Sequence, residues 1–64
     1  MFNIGDLLTY RHNKAVWILL GSHETVRGIK YILKVLDAKD SHYKSGELYK
    51  GIQESTLNDF TLIE

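Results

Sequence analysis

Lys14-Ala15-Val16-Trp17-Ile18-Leu19-Leu20 is the stretch that decides the fold of this chain. It is the most apolar run in the sequence and reads as a β-strand. Side chains alternate across a strand, so Val16, Ile18 and Leu20 share one face and Ala15, Trp17 and Leu19 share the other. Both faces are apolar, which requires both to be at least partly covered. A flat two-layer sheet makes no such demand. A strand that bends sharply across a small barrel does, and so does a strand whose second face meets a partner.

The segments on either side fit a meander of short strands. Upstream, Gly5-Asp6 signals a turn and Leu7-Leu8-Thr9-Tyr10 a short strand. Arg11-His12-Asn13-Lys14 reads as a hairpin turn, with Asn13 the residue best suited to a left-handed backbone. Downstream, Gly21-Ser22 is expected to end the strand, and residues 22–28 to form a polar loop. From residue 29 to 36 the period is near two. Ile29, Tyr31, Leu33 and Val35 point one way, while Lys30, Ile32, Lys34 and Leu36 point to the wetter side. Ile29, Ile32, Leu33 and Leu36 also fit a helical spacing, but β-branched and aromatic residues favour the strand. Residues 37–47 are polar and form the longest, most mobile connection. A strand follows over 48–53, then a single helical turn over 54–59 with Leu57 inward. Phe60-Thr61-Leu62-Ile63 is the last strand, with Phe60 and Leu62 on one face. The pattern is all-β: five short strands in one domain spanning residues 1–64, built as a small barrel or sandwich.

Composition sets further bounds. A chain of 64 residues removes only about 60% of its unfolded surface from water on folding. There is no Cys, so no disulfide and no thiolate metal ligand; the core suffices alone or an oligomer helps it. Eight basic residues balance eight acidic ones, which argues against strong non-specific nucleic-acid binding. The distribution is uneven, because all eight basic residues lie between Arg11 and Lys50. No apolar run approaches the roughly 20 residues of a membrane span. The N-terminus lacks a basic region followed by a long apolar stretch, so neither a membrane anchor nor a secretory leader is expected, and the cytoplasm (a host's, for a viral protein) is the expected location.

The order of these features resembles the SH3-like barrels. In that fold a short strand follows a Gly-Asp turn, three strands form a meander, and a 3₁₀ turn precedes the final strand. The matching pieces here are Gly5-Asp6-Leu7-Leu8, the strands at 14–20, 29–36 and 48–53, and the turn at 55–59 before the last strand. The resemblance implies a five-stranded SH3-like barrel with a single helical turn before the last strand. Within that class the chain is similar to short uncharacterised bacteriophage and bacterial proteins that open with Ile/Val-Gly-Asp-Leu/Val and close with a Leu-x-Leu-Ile-like strand. Ile4-Gly5-Asp6-Leu7 and Phe60-Thr61-Leu62-Ile63 carry that likeness, and it implies no established activity. The Ala-Leu-Tyr-Asp-Tyr-like segment of peptide-binding SH3 domains is missing. Arg11-His12-Asn13-Lys14 stands where KOW-type modules place a Gly. No spacing assembles the aromatic cage of Tudor-type domains.

Two functional readings follow. The first is a non-catalytic module that binds a protein partner or its own copy. Trp17 and Leu19 on the second face of the central strand, with Tyr43 in a polar loop expected to be exposed, are its candidate contacts. The second is a nucleic-acid-binding barrel. There Arg11, Lys30, Lys34 and Lys50 would track phosphates, and Tyr10 or Tyr49 would stack a base. Zero net charge favours the first. Tyr31 is expected to serve the core. His12, His23 and His42, with Glu24 and Asp40 nearby, lie too far apart in sequence to predict a metal site. Ser22 and Ser41 each adjoin a His, but sequence adjacency is not triad geometry. No Gly-rich phosphate loop is present. Neither catalysis nor a cofactor is expected.

Overall fold

The computed structural model describes residues 2–39 and 42–63. Among these, five strands and one helical turn follow the order β1 (Leu7–Tyr10), β2 (Val16–Thr25), β3 (Gly28–Asp37), β4 (Leu48–Gln53), α1 (Glu54–Leu57) and β5 (Phe60–Leu62). All pairings are antiparallel, and the sheet runs β4-β3-β2-β1-β5. Among the described residues no pairing joins β4 to β5, so the sheet is open.

The central strand runs further than expected. Gly21-Ser22 does not end it: β2 continues to Thr25 and pairs with β3 as far as Gly28. Val26-Arg27 is the whole connection, and Gly28 takes a positive φ of 119° that lets the chain re-enter the ladder. Gly21 marks a register shift instead, between Leu19 and Gly21. The polar residues that suggested a loop are tolerated in a strand because this end of the hairpin is wet on both faces.

The first hairpin turn also differs in one detail. Lys14, not Asn13, holds the left-handed backbone, with φ 61°. Asn13 acts through its side chain: its Oδ1 accepts a 3.0 Å hydrogen bond from the Ala15 N–H. Tyr10 and Ala15 close the turn, the Tyr10 N–H donating to the Ala15 carbonyl at 3.3 Å. Asn and Asp favour turns in part by this kind of side-chain bond two residues on.

Three register shifts bend the sheet: between Val16 and Trp17, between Leu19 and Gly21, and between Tyr31 and Leu33. Each adds local twist. The bend shows in the ring contacts of Trp17 on β2. It lies 5.4 Å from Tyr49 on β4 and 5.5 Å from Phe60 on β5, each two strands away, where a flat sheet would separate the backbones by about 10 Å. The sheet therefore curls around its inner face. Leu8, Ala15, Trp17, Leu19, Leu33, Val35, Leu57 and Phe60 form the buried core there. The helical turn closes one side of it through Leu57.

Candidate functional site

Only one of the two apolar faces of the central strand is used by the core, and it is the one carrying Trp17. Ala15, Trp17 and Leu19 are buried; Trp17 is 2% exposed. The parity rule separates the two faces without ranking them. Trp17, with the most apolar surface to remove from water, settles the choice. The exposure on which Trp17 and Leu19 were read as partner contacts is absent, and neither side chain reaches the surface. Tyr43 is corrected too: it is half-buried and packs edge-on against Trp17 at 4.9 Å, because the long connection folds back over the ring. Tyr31 is half-buried against the core, as expected.

The inner face is thus an aromatic cluster. Around Trp17 stand Tyr43, Tyr49 and Phe60; Tyr10 joins through Phe60 at 4.8 Å and touches the His12 ring at 4.9 Å. Burial, followed by the charge of Asp59, raises the Tyr10 hydroxyl above its ordinary value. The Tyr49 hydroxyl donates to the Glu47 carboxylate, and that bond pushes its pKa up to about 12. Among the described residues the Trp17 Nε1–H is buried without a hydrogen-bond partner.

The opposite face is open. Cross-strand partners point to the same side of a sheet, so the register reads out this face directly. One row crosses β4, β3, β2 and β1 and ends on the residue after β5: Leu48, Lys34, Ile18, Leu7 and Ile63, whose N–H bonds the Leu7 carbonyl. Leu36, Val16, Thr9 and Thr61 flank it on one side, with Asp37 opposite Val16 at the margin; Ile32, Leu20 and Lys50 flank it on the other. Leu7, Leu20, Leu36, Leu48 and Ile63 are each between 39% and 48% exposed, and Val16, Ile18, Ile32 and Lys34 are half-buried. The second apolar face inferred from residues 14–20 therefore exists, but Val16, Ile18 and Leu20 carry it.

The residues considered for nucleic acid do not converge. Lys30 and Lys34 lie on the outer face, Lys30 paired with His23 and Gln53 across the strands. Tyr10 and Tyr49 point inward with the aromatic cluster. Arg11 sits in the hairpin turn, 3.5 Å from Asp59, with its backbone N–H bonded to the Asp59 carbonyl. The lysines and the stacking rings thus occupy opposite sides of the sheet, and Arg11 lies apart at the hairpin turn.

The histidines are equally scattered. His12 is 3.9 Å from Asp59, and His23 Nε2 donates to the Lys50 carbonyl at 3.0 Å. His42 is exposed, while the neighbouring Asp40 and Ser41 lie outside the described residues. Among the described residues no three His, Asp or Glu side chains stand where they could share a metal ion. A cleft of about 390 Å³ is lined by Phe2, Glu54, Leu57, Asn58 and Phe60. A second, of about 290 Å³, runs beside Arg27, Lys30 and Glu54. Among the described residues no helix is long and apolar enough to cross a membrane.

Sequence reasoning missed Leu7, Leu48 and Ile63 as surface residues, whereas Leu36 lies on the wetter side, as its alternation with Lys34 predicts. The signal for them was the pairing of like faces, which needs the register. Set against protein-family models, curated proteins and solved structures, the chain matches none.

Proposed function

We propose that this chain is a non-catalytic protein-binding module of SH3-like architecture whose working surface is the outer face of its sheet. The single observation behind this reading is the row Leu48-Lys34-Ile18-Leu7-Ile63 with its flanking Leu20, Ile32 and Leu36. Around Lys34, apolar residues of β1 to β4 and Ile63, just beyond β5, are gathered on one side and left half in water. Scattered exposed leucines are ordinary; a contiguous apolar patch is the usual mark of an interaction surface. The strand order and the helical turn between β4 and β5 support the SH3-like architecture.

The test combines sedimentation over a wide concentration range with amide chemical-shift mapping. Any protein contact, with another copy or with a selected binding peptide, is expected to perturb residues 16–20, 32–36 and 48–50 and to weaken in a Leu7→Ser, Leu48→Ser double variant. Contacts mapped to Tyr10, Tyr43 and Tyr49 instead would overturn this choice of face. Steeply salt-dependent binding of oligonucleotides without any protein contact would favour phosphate recognition over it.

A further inference from the structure

The outer face has a definite charge pattern. Lys34 stands near its centre, with Leu48 and Ile18 as cross-strand partners and Ile32 and Leu36 two residues away on its own strand. Lys30 and Lys50 lie further along the same face. The one carboxylate at the margin of these rows is Asp37, opposite Val16, and it is held by Lys39 at 3.2 Å. Among the described residues none of these three lysines has an ion-pair partner; the three ion pairs present join Arg11 and His12 to Asp59, and Lys39 to Asp37. Lys34 is half-buried as a residue, and covering the face would strip water from its ammonium, a loss that an opposite charge compensates.

We propose that the occupant of the outer face is a protein surface that sets a carboxylate against Lys34 within an apolar contact. This rests on the reading of that face as the binding surface. Two alternatives fit the pattern less well. A two-fold pairing of identical copies centred on Lys34 would lay lysine against lysine, and the acid at the margin of the face, Asp37, is already paired with Lys39. A lipid surface calls for Trp or Tyr at the interfacial level, and the aromatic cluster of this protein lies on the other side of the sheet.

The experiment is a selection of random displayed peptides against the intact protein, with the selected peptides then synthesised and measured by titration. Peptides enriched in Asp or Glu beside Leu, Ile or Phe are expected. Lys34→Glu should weaken them by about tenfold or more, and Lys34→Met should weaken them less than Lys34→Glu. Peptides in which the acid is replaced by Lys should regain affinity for Lys34→Glu. Thermal melting confirms that both variants stay folded. Selected peptides that map to the outer face yet carry no acidic preference would overturn this proposal and leave the binding face standing. Peptides mapping to the inner face, or no peptides at all, would overturn both. Sedimentation showing a dimer built through Lys34, or uptake onto phosphatidylserine vesicles that Lys34→Glu abolishes, would replace the acidic partner with a second copy or a membrane.

Discussion

Replacing Trp17 with alanine and with phenylalanine separates what the ring contributes from what its N–H costs. A domain of 64 residues has a total stability of about 3–10 kcal/mol, at roughly 0.05–0.15 kcal/mol per residue. Trp17 is buried and touches Tyr43, Tyr49 and Phe60. Trp17→Ala removes those contacts and leaves a cavity, at a cost of about 3–5 kcal/mol. In a domain of this size each kcal/mol moves the melting temperature by about 4–8 °C, so the variant is expected to melt at least 12 °C lower (about 3 kcal/mol at 4 °C each) or to be unfolded at room temperature. Trp17→Phe keeps most of the ring. The smaller volume costs about 1–2 kcal/mol, but the unpartnered Nε1–H goes with it, and an unmet buried donor costs about 1–3 kcal/mol. The two effects oppose each other, and a net change within about 1 kcal/mol is expected. Thermal unfolding followed by far-ultraviolet circular dichroism measures both, with Leu48→Ser as a surface control. Two results would refute the reasoning: Trp17→Ala no worse than Leu48→Ser, which would put the ring outside the core, or Trp17→Phe costing over about 3 kcal/mol, which would mean the N–H is bonded.

Two further outcomes are expected. Lys14 holds a left-handed backbone that costs an L-residue about 1–2 kcal/mol, so Lys14→Gly should leave the melting temperature unchanged or raise it by a few degrees, whereas Lys14→Val should lower it; thermal melts of the pair decide. Tyr49 has a folded-state pKa raised from 10.0 to about 12 by its bond to Glu47. A raised pKa contributes stability that is complete below the unfolded value and is lost as pH rises from about 10 through about 12. Urea midpoints across that window should fall more steeply for the parent than for Tyr49→Phe, and equal slopes would show that the bond does not persist in solution.

The strands were legible from alternation and from β-branched content, and the helical turn with its inward Leu57 from its place before Phe60. What could not be read was polarity of direction. Residues 14–20 announce two apolar faces, but nothing local states which turns inward; that depends on Leu8 sitting opposite Trp17 and on Tyr49 and Phe60 arriving from distant strands. The end of β2 was misplaced for a related reason. Gly21-Ser22 has the chemistry of a turn, and a bulge uses the same chemistry. Tyr43 was misjudged because its polar neighbours describe the loop, not the ring it covers. Lys50 adjoins Tyr49 in sequence, yet strand alternation sends the two to opposite sides of one sheet, and register places Lys30 and Lys34 with Lys50 and away from the tyrosines.

The pairing of β1 with β5 has a consequence for how the chain finds its fold. Every other neighbouring pair in the sheet is joined by a direct connection, and the β2–β3 hairpin closes over two residues. Tyr10 opposite Phe60 instead spans 60 − 10 = 50 residues. Loop-closure entropy grows as (3/2)RT ln n, so joining these ends costs about 2 kcal/mol more than closing a hairpin of four residues. That cost falls on a three-residue strand. The meander from β1 to β4 can assemble from local contacts, while β5 gains its place only once Trp17 and Leu8 offer Phe60 a surface. The last strand to dock in folding is then the first to leave. Its amides should exchange with solvent through openings that spare the central hairpin.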